Sequence, residues 1–172
     1  LLYAKGVEVG TSICEPEMAN EAREILTKAT ASACEILLPV DVVTLTDGKL
    51  DEEPQIVSID SVASGTRILD IGPASTDRIG SRISDCKTLL WNGPMGMFES
   101  PPFDISTNFL ARKTAEMTQT GSLISVAGGG DTLAALSHAG VKSGFSYVST
   151  AGGAFLAWLE GHCLPGVTAL KP

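Results

Sequence analysis

The sequence has no apolar run close to the ~20 residues that a membrane-crossing helix needs, and no signal peptide opens it. Neither a membrane partner nor export is expected, and the cytoplasm is the expected location. Cysteine is sparse: Cys14, Cys34, Cys86 and Cys163 lie far apart, with no Cys-x-x-Cys pair and no Cys/His cluster. This spacing excludes a zinc site and predicts reduced, mostly buried thiols. Basic residues are outnumbered, 12 Lys and Arg against 20 Asp and Glu, for a net charge of −8. Nucleic acid needs clustered cations to displace its counterions, so no nucleic-acid partner is expected. A phosphate ligand stays open, because N–H groups at a helix start bind anions without any basic side chain. The sequence also lacks a G-x-x-x-x-G-K-[ST] loop and a G-x-S-x-G elbow, which argues against a Walker-type ATPase and an α/β hydrolase. It holds no internal repeat and no low-complexity tract.

What is there reads as a folded domain. The 172 residues are 44% hydrophobic and 19% charged, enough for one core. Leu1 to Gly6 resembles the last turns of a helix stopped by glycine, so the chain is expected to begin within a domain. From Glu15 to Ala33, Met18, Ala22, Ile25, Leu26 and Ala29 recur at helical spacing behind Pro16. Short strands rich in branched residues are predicted at Glu35–Leu38, Val42–Leu45, Gln55–Ile59 and Thr66–Ile71, with a turn at Asp47-Gly48. Beyond Ile71 a βαβα rhythm sets in: helix Ala74–Asp85, strand Thr88–Trp91, helix Ser106–Gln119, strand Ser122–Ala127 and helix Asp131–Ala139. Near-continuous apolar strands such as Leu123–Ala127 predict a mostly parallel sheet covered by helices on both faces. Ligands of such sheets bind beyond the carboxyl ends of the strands.

Three segments follow predicted strands. Gly128-Gly129-Gly130-Asp131-Thr132 opens a predicted helix, where glycines bring N–H groups against an anion and the helix start adds partial positive charge. Asp131 would cap that helix or hold magnesium through an oxygen. Ser149-Thr150-Ala151-Gly152-Gly153-Ala154 is a second close-approach turn, with N–H groups of Gly152 and Gly153 available to an oxyanion. The two turns could face one polyphosphate from two sides. In Trp91–Glu99, Met95, Met97 and Phe98 could pack on a flat base, Asn92 donate to a phosphate and Glu99 accept from ribose hydroxyls. Each segment also has a plain structural reading: a capped strand-to-helix turn, close helix packing, and a Pro/Gly turn with core-facing Met and Phe. His138 and His162 lack partners at metal spacing, and Asp51-Glu52-Glu53 reads as a solvated stretch.

Taken in order, PVDVV (39–43), LDIGPAST (69–76), WNGPMGMFE (91–99), GGGDT (128–132), STAGGA (149–154) and LEG followed by LPG (159–166) closely resemble the carboxyl-terminal domain of phosphoglycerate kinase, over essentially the whole chain. The resemblance implies a Rossmann-like three-layer α/β sandwich that binds ADP or ATP. It implies reversible phosphoryl transfer between 1,3-bisphosphoglycerate and ADP, giving 3-phosphoglycerate and Mg-ATP in glycolysis. By motif, Asn92 would contact the nucleotide phosphates, Glu99 the ribose, and Leu69, Pro94 and Met97 the adenine and sugar. Asp131 would lie by the magnesium and Thr132 by the phosphates. In the GGGDT turn Gly128, Gly129 and Gly130 would line the phosphate site, and N–H groups of Gly129, Gly130, Gly152 and Gly153 would serve the transferring group, with Gly130 and Gly153 in the catalytic role.

The resemblance further implies that the first strand–helix segment, with a GGAKVSDK-like stretch whose lysines help bind phosphates, lies outside this chain. So does the amino-terminal domain that binds phosphoglycerate through a basic patch. This chain would then be inactive alone, and its intact parent is expected to be a monomer. Three positions depart from the family: Ala151 where a glycine is usual, Ile68 where a glycine borders the adenine pocket, and His162 where lysine is common. Two other readings compete, a stand-alone adenine-nucleotide-binding module without catalysis and a sugar- or phosphosugar-binding Rossmann-like domain. The second leaves WNGPMGMFE unexplained.

Overall fold

The computed structural model of the protein describes residues 1–49 and 52–170. The chain forms two compact units, Leu1–Ile79 with Met95–Ser106, and Gly80–Pro94 with the chain from Thr107 onward.

In the first unit Tyr3–Lys5 is a 3-10 turn closed by Gly6 at φ 80°, the glycine stop expected from the sequence. Pro16 opens a second such turn, Pro16–Met18, that runs into helix α1 (Ala19–Ala31). The Arg23 guanidinium of α1 donates to the Ala4 carbonyl at 2.9 Å. Strands β1 (Asp41–Thr46), β2 (Gln55–Ser58) and β3 (Thr66–Ile71) form an antiparallel sheet with β1 in the centre. The β1–β3 register shifts at Val43/Thr44. Val42, Thr44 and Leu45 of β1 are buried, as a central strand requires. Gly48, at φ 77°, makes the turn after β1. Glu35–Leu38, expected as a strand, joins no ladder. Branched residues favour an extended backbone, but a strand also needs a partner edge, and Pro39 withholds a donor at its end. Of the acidic run, Asp51 lies outside the described residues, and Glu52 and Glu53 are exposed.

Helix α2 (Pro73–Asp85) starts directly after β3, and its first turn is held by β1. The Asp41 carboxylate accepts from the Ser75 N–H (2.7 Å), the Ser75 hydroxyl (2.6 Å) and the Ala74 N–H (3.0 Å). In return the Ser75 hydroxyl oxygen accepts from the Val40 and Asp41 amides at 2.9 and 3.0 Å. A carboxylate from a distant strand thus does what an N-cap side chain normally does for its own helix.

The second unit is a parallel sheet in the order β4 (Thr88–Asn92), β5 (Ile124–Gly128), β6 (Tyr147–Ser149), with α3 (Ile105–Gln119) and α4 (Gly130–His138) as connections. Helices α5 (Gly152–Leu159) and α6 (Pro165–Thr168) follow. Leu110, Ala111, Thr114 and Ala115 make a buried stripe on α3, and Ala135 and Leu136 are buried on α4. Trp91 meets Phe145 edge to face, with ring centroids 6.1 Å apart. The α/β class and the parallel sheet are as expected, but within this unit the sheet is not sealed on both faces. Trp91, Ser125 and Ala127 are buried, whereas Leu90, Ile124 and Tyr147 are 42%, 59% and 60% exposed. The reason lies in the strand order. Two successive crossovers of the same hand, each moving one strand further along, put their helices on the same face.

The four cysteines are free of disulfides, as expected, but they are not buried: Cys14, Cys34 and Cys163 are exposed and Cys86 is half-buried. The first three lie in segments between or beyond the regular elements, where no core is near. Among the described residues no helix is long and apolar enough to cross a membrane.

Burial alone would raise the pKa of Asp41, but the hydrogen bonds from Ser75 and Ala74 outweigh it and hold the carboxyl below its ordinary value. A depressed carboxyl stabilises the fold above the unfolded pKa of about 4, and that contribution disappears as the pH falls through the lowered value. Asp41→Ala should therefore cost about 1–2 kcal/mol at neutral pH. In urea melts the gap to the wild type should narrow below pH 4; a gap independent of pH would exclude the charged cap.

Candidate functional site

The parallel register sets Asn92 beside Gly128 and Gly128 beside Ser149, so β4, β5 and β6 end level with one another. Two helix starts follow immediately. Gly129, at φ 104° and ψ 144°, is the N-cap of α4, and Ala151 is the N-cap of α5. Neither end has a side-chain cap. Asp131 therefore does not cap α4; it stands in the first turn with an exposed side chain. The first N–H groups of each helix lack an intrahelical acceptor and point along the axis out of its start.

These turns lie against each other. A Cβ on Gly152 would sit 2.5 Å from Cα and 2.6 Å from N of Gly129, too close for any side chain at position 152. Gly129 is hemmed in on its other side, where a Cβ would come 3.2 Å from Asn92 Oδ1 and 3.3 Å from Thr132 Oγ1. At Gly130 and Gly153, by contrast, nothing stands within 4 Å of a Cβ position. The result is a backbone floor with open space above both helix starts. Ala151 keeps a negative φ of −106°, so its departure from the family glycine imposes no backbone strain.

Thr132 is 1% exposed, and its hydroxyl accepts from the Gly93 N–H at 2.7 Å. The Trp91 indole N–H donates to the Gly93 carbonyl at 2.6 Å. The bend after β4 is thereby fixed from both sides, which orients Asn92. The Thr132 bond was not readable in the sequence, because Thr132 and Gly93 are 39 residues apart and nothing local pairs them.

The other expected residues, apart from Pro94, lie in the first unit. A cavity of about 750 Å³ is lined there by Leu69, Met95 and Met97, with Ile68 and Met18 also on its wall. The Met97 N–H donates to the Leu69 carbonyl at 2.8 Å, which lays the Met95–Phe98 turn along β3. Phe98 does not face this cavity; it is 6% exposed and belongs to the core, its plain structural reading. Glu99 is exposed. Pro94, half-buried, falls in the second unit. Beside Leu69, Asp70 is 2% exposed, and burial pushes its carboxyl above the usual carboxylate range, partly offset by N–H bonds from Ser106 and Ile71. Sequence reasoning assigned Asp70 nothing, since an acidic residue within a strand carries no sign that it points inward.

Among the described residues no three His, Cys, Asp or Glu side chains gather to hold a metal. Asp131 is the one acidic residue in the turns 128–132 and 149–153. A single exposed carboxylate suits a magnesium ion that keeps most of its waters and takes further oxygens from phosphates, and it does not suit an all-protein cage.

A family model described as phosphoglycerate kinase matches residues 1–162. The phosphoglycerate kinases of Ruegeria sp. (strain TM1040) and Brucella abortus biovar 1 (strain 9-941) are 52% and 54% identical to the chain over 170 residues, 99% of it and 43% of each relative. Among solved structures, phosphoglycerate kinase from Coxiella burnetii matches with a TM-score of 0.91 at 38% identity, covering 99% of this chain and 43% of that one. The enzyme from Pyrococcus horikoshii OT3 matches with a TM-score of 0.69 at 27% identity, over 98% and 42%. The chain thus spans less than half the length of these relatives. Matched by that family model over residues 1–162, the chain belongs to the phosphoglycerate kinase family.

Proposed function

We propose that this chain is the nucleotide-binding part of a phosphoglycerate kinase, a cytoplasmic glycolytic enzyme that moves a phosphoryl group between 1,3-bisphosphoglycerate and ADP. The products are 3-phosphoglycerate and ATP. The chain supplies the nucleotide side of that reaction and does not complete it without the remainder of its parent. The observation that carries this reading is the contact of Gly152 with the Gly129 backbone, which joins two helix starts into one floor with open space at Gly130 and Gly153. Phosphoryl transfer asks little covalent chemistry of a protein; it needs fixed donors where charge spreads over the equatorial oxygens. N–H groups of Gly130 and Gly153 are such donors, because the sheet positions them before any ligand arrives.

Asn92, Gly128, Gly129, Thr132 and Gly152 build the phosphate side. Thr132 contributes its amide there, and its hydroxyl, which accepts from the Gly93 N–H, keeps its own proton to donate. Leu69, Met97 and Glu99 serve the base and ribose, with Pro94 in the same loop. Magnesium, when bound, neutralises phosphate charge, and Asp131 is the residue that would hold it.

Calorimetric titration of the chain with Mg-ADP should give saturable binding at one site; no binding by the folded chain would overturn the reading. Asp131→Ala should weaken Mg-ADP by about tenfold, ~1.4 kcal/mol, and leave affinity for ADP without magnesium unchanged. Equal affinities for wild type and variant in both titrations would remove Asp131 from the metal. Gly130→Val fills the open space above the α4 start with a branched side chain and should abolish Mg-ADP binding while the thermal transition persists. Retained binding would move the cradle elsewhere.

A further inference from the structure

We propose that Asp70 is a positioning residue for the nucleotide, its buried carboxylate holding the Gly96-Met97 turn against β3, a role that presupposes nucleotide binding by this chain. Three backbone segments converge on this one side chain. Oδ1 accepts from the Ile71 N–H at 2.8 Å within β3. Oδ2 accepts from the Ser106 N–H at 3.2 Å at the start of α3. The third segment is Gly96, which packs so close that a Cβ there would collide with the Asp70 carboxylate. Ser106 is itself anchored, its hydroxyl donating to the Ile71 carbonyl at 2.9 Å and accepting from Thr76 Oγ1 at 2.9 Å.

Both neighbours of this contact line the cavity. Leu69 precedes Asp70, Met97 follows Gly96, and the Met97 N–H to Leu69 carbonyl bond joins them. Asp70 and Gly96 stand on the same cavity wall, and the contact between them fixes the spacing between the two side chains assigned to the base. A buried carboxylate is an expensive way to secure a turn if stability alone is at stake, because an apolar side chain would avoid the desolvation. What the carboxylate adds is two acceptor oxygens, one for each of two N–H groups, and hence one fixed register.

Asp70→Asn preserves shape and turns one oxygen into a donor, so whichever way the amide lies, an N–H group of Ile71 or Ser106 meets N–H instead of an acceptor. Hydrogen exchange on the nucleotide-free chain should show the Met97 amide exchanging at least about tenfold faster in Asp70→Asn, with the β5 amides unchanged. Gly96→Ala, which forces the turn off the carboxylate, should reproduce the effect. Binding then separates positioning from mere folding. Affinity for Mg-ADP should fall about tenfold in both variants, and affinity for Mg-tripolyphosphate, which has no adenosine, should not change. Unaltered Met97 exchange, or an equal loss for both ligands, would overturn the assignment to Asp70. If the wild type binds neither ligand, the nucleotide reading fails, and with it the role of Asp70 in binding, whereas the exchange data still decide whether Asp70 holds the turn.

Discussion

The contact between Gly129 and Gly152 is the constraint on which the second unit depends. Parallel strands level at Asn92, Gly128 and Ser149 deliver their helices from neighbouring positions about one strand spacing apart. Two helix starts so close must meet backbone to backbone. Any side chain at Gly152 would enter the Gly129 backbone, and one at Gly129 would crowd Asn92 and Thr132. The cost is conformational freedom lost on folding, greatest for glycine. The return is a set of N–H donors held by the sheet rather than by flexible side chains.

Much of this was legible because its signals are local. A strand, a glycine run and a helix in succession have few alternatives, so GGGDT and STAGGA announced both turns and the elements on either side. The bounds of α2, α3, α4 and β4 were readable for the same reason. The pairing of β1, β2 and β3 was not. Their composition marks strands, but direction and register depend on partners far along the chain, and Glu35–Leu38 has similar composition with no partner. The Asp41 cap belongs to the same class, since its carboxylate serves amides 33 and 34 residues away.

The open face of the parallel sheet marks another limit of periodicity. Leu123–Ala127 reads as continuously apolar, and that pattern suggested cover on both sides. Inside the unit Ser125 and Ala127 lie on the buried face while Ile124 lies on the other. A run of apolar residues does not by itself record cover on both faces. The β4–β5–β6 order decides that here, since equal-handed crossovers place α3 and α4 on one face and leave Leu90, Ile124 and Tyr147 exposed on the other.

The charge balance gives the glycine floor its chemical meaning. A chain of net charge −8 repels a polyphosphate at long range, and neither 128–132 nor 149–153 contains a lysine or arginine. Backbone N–H groups at a helix start attract oxygen through partial charges, which orient an anion well but neutralise little of it. On the proposed reading, the two turns leave the missing positive charge to the ligand and to the lysines that the resemblance implies outside this chain. A magnesium ion carried by the nucleotide serves that need, and one exposed carboxylate at the edge of the floor suffices to fix its side of approach. More acidic ligands would compete with the phosphates and add to the repulsion. The sparse acidic content of the two turns is therefore what a site for a metal–nucleotide complex requires, and a site built to retain a bare metal ion would need the opposite.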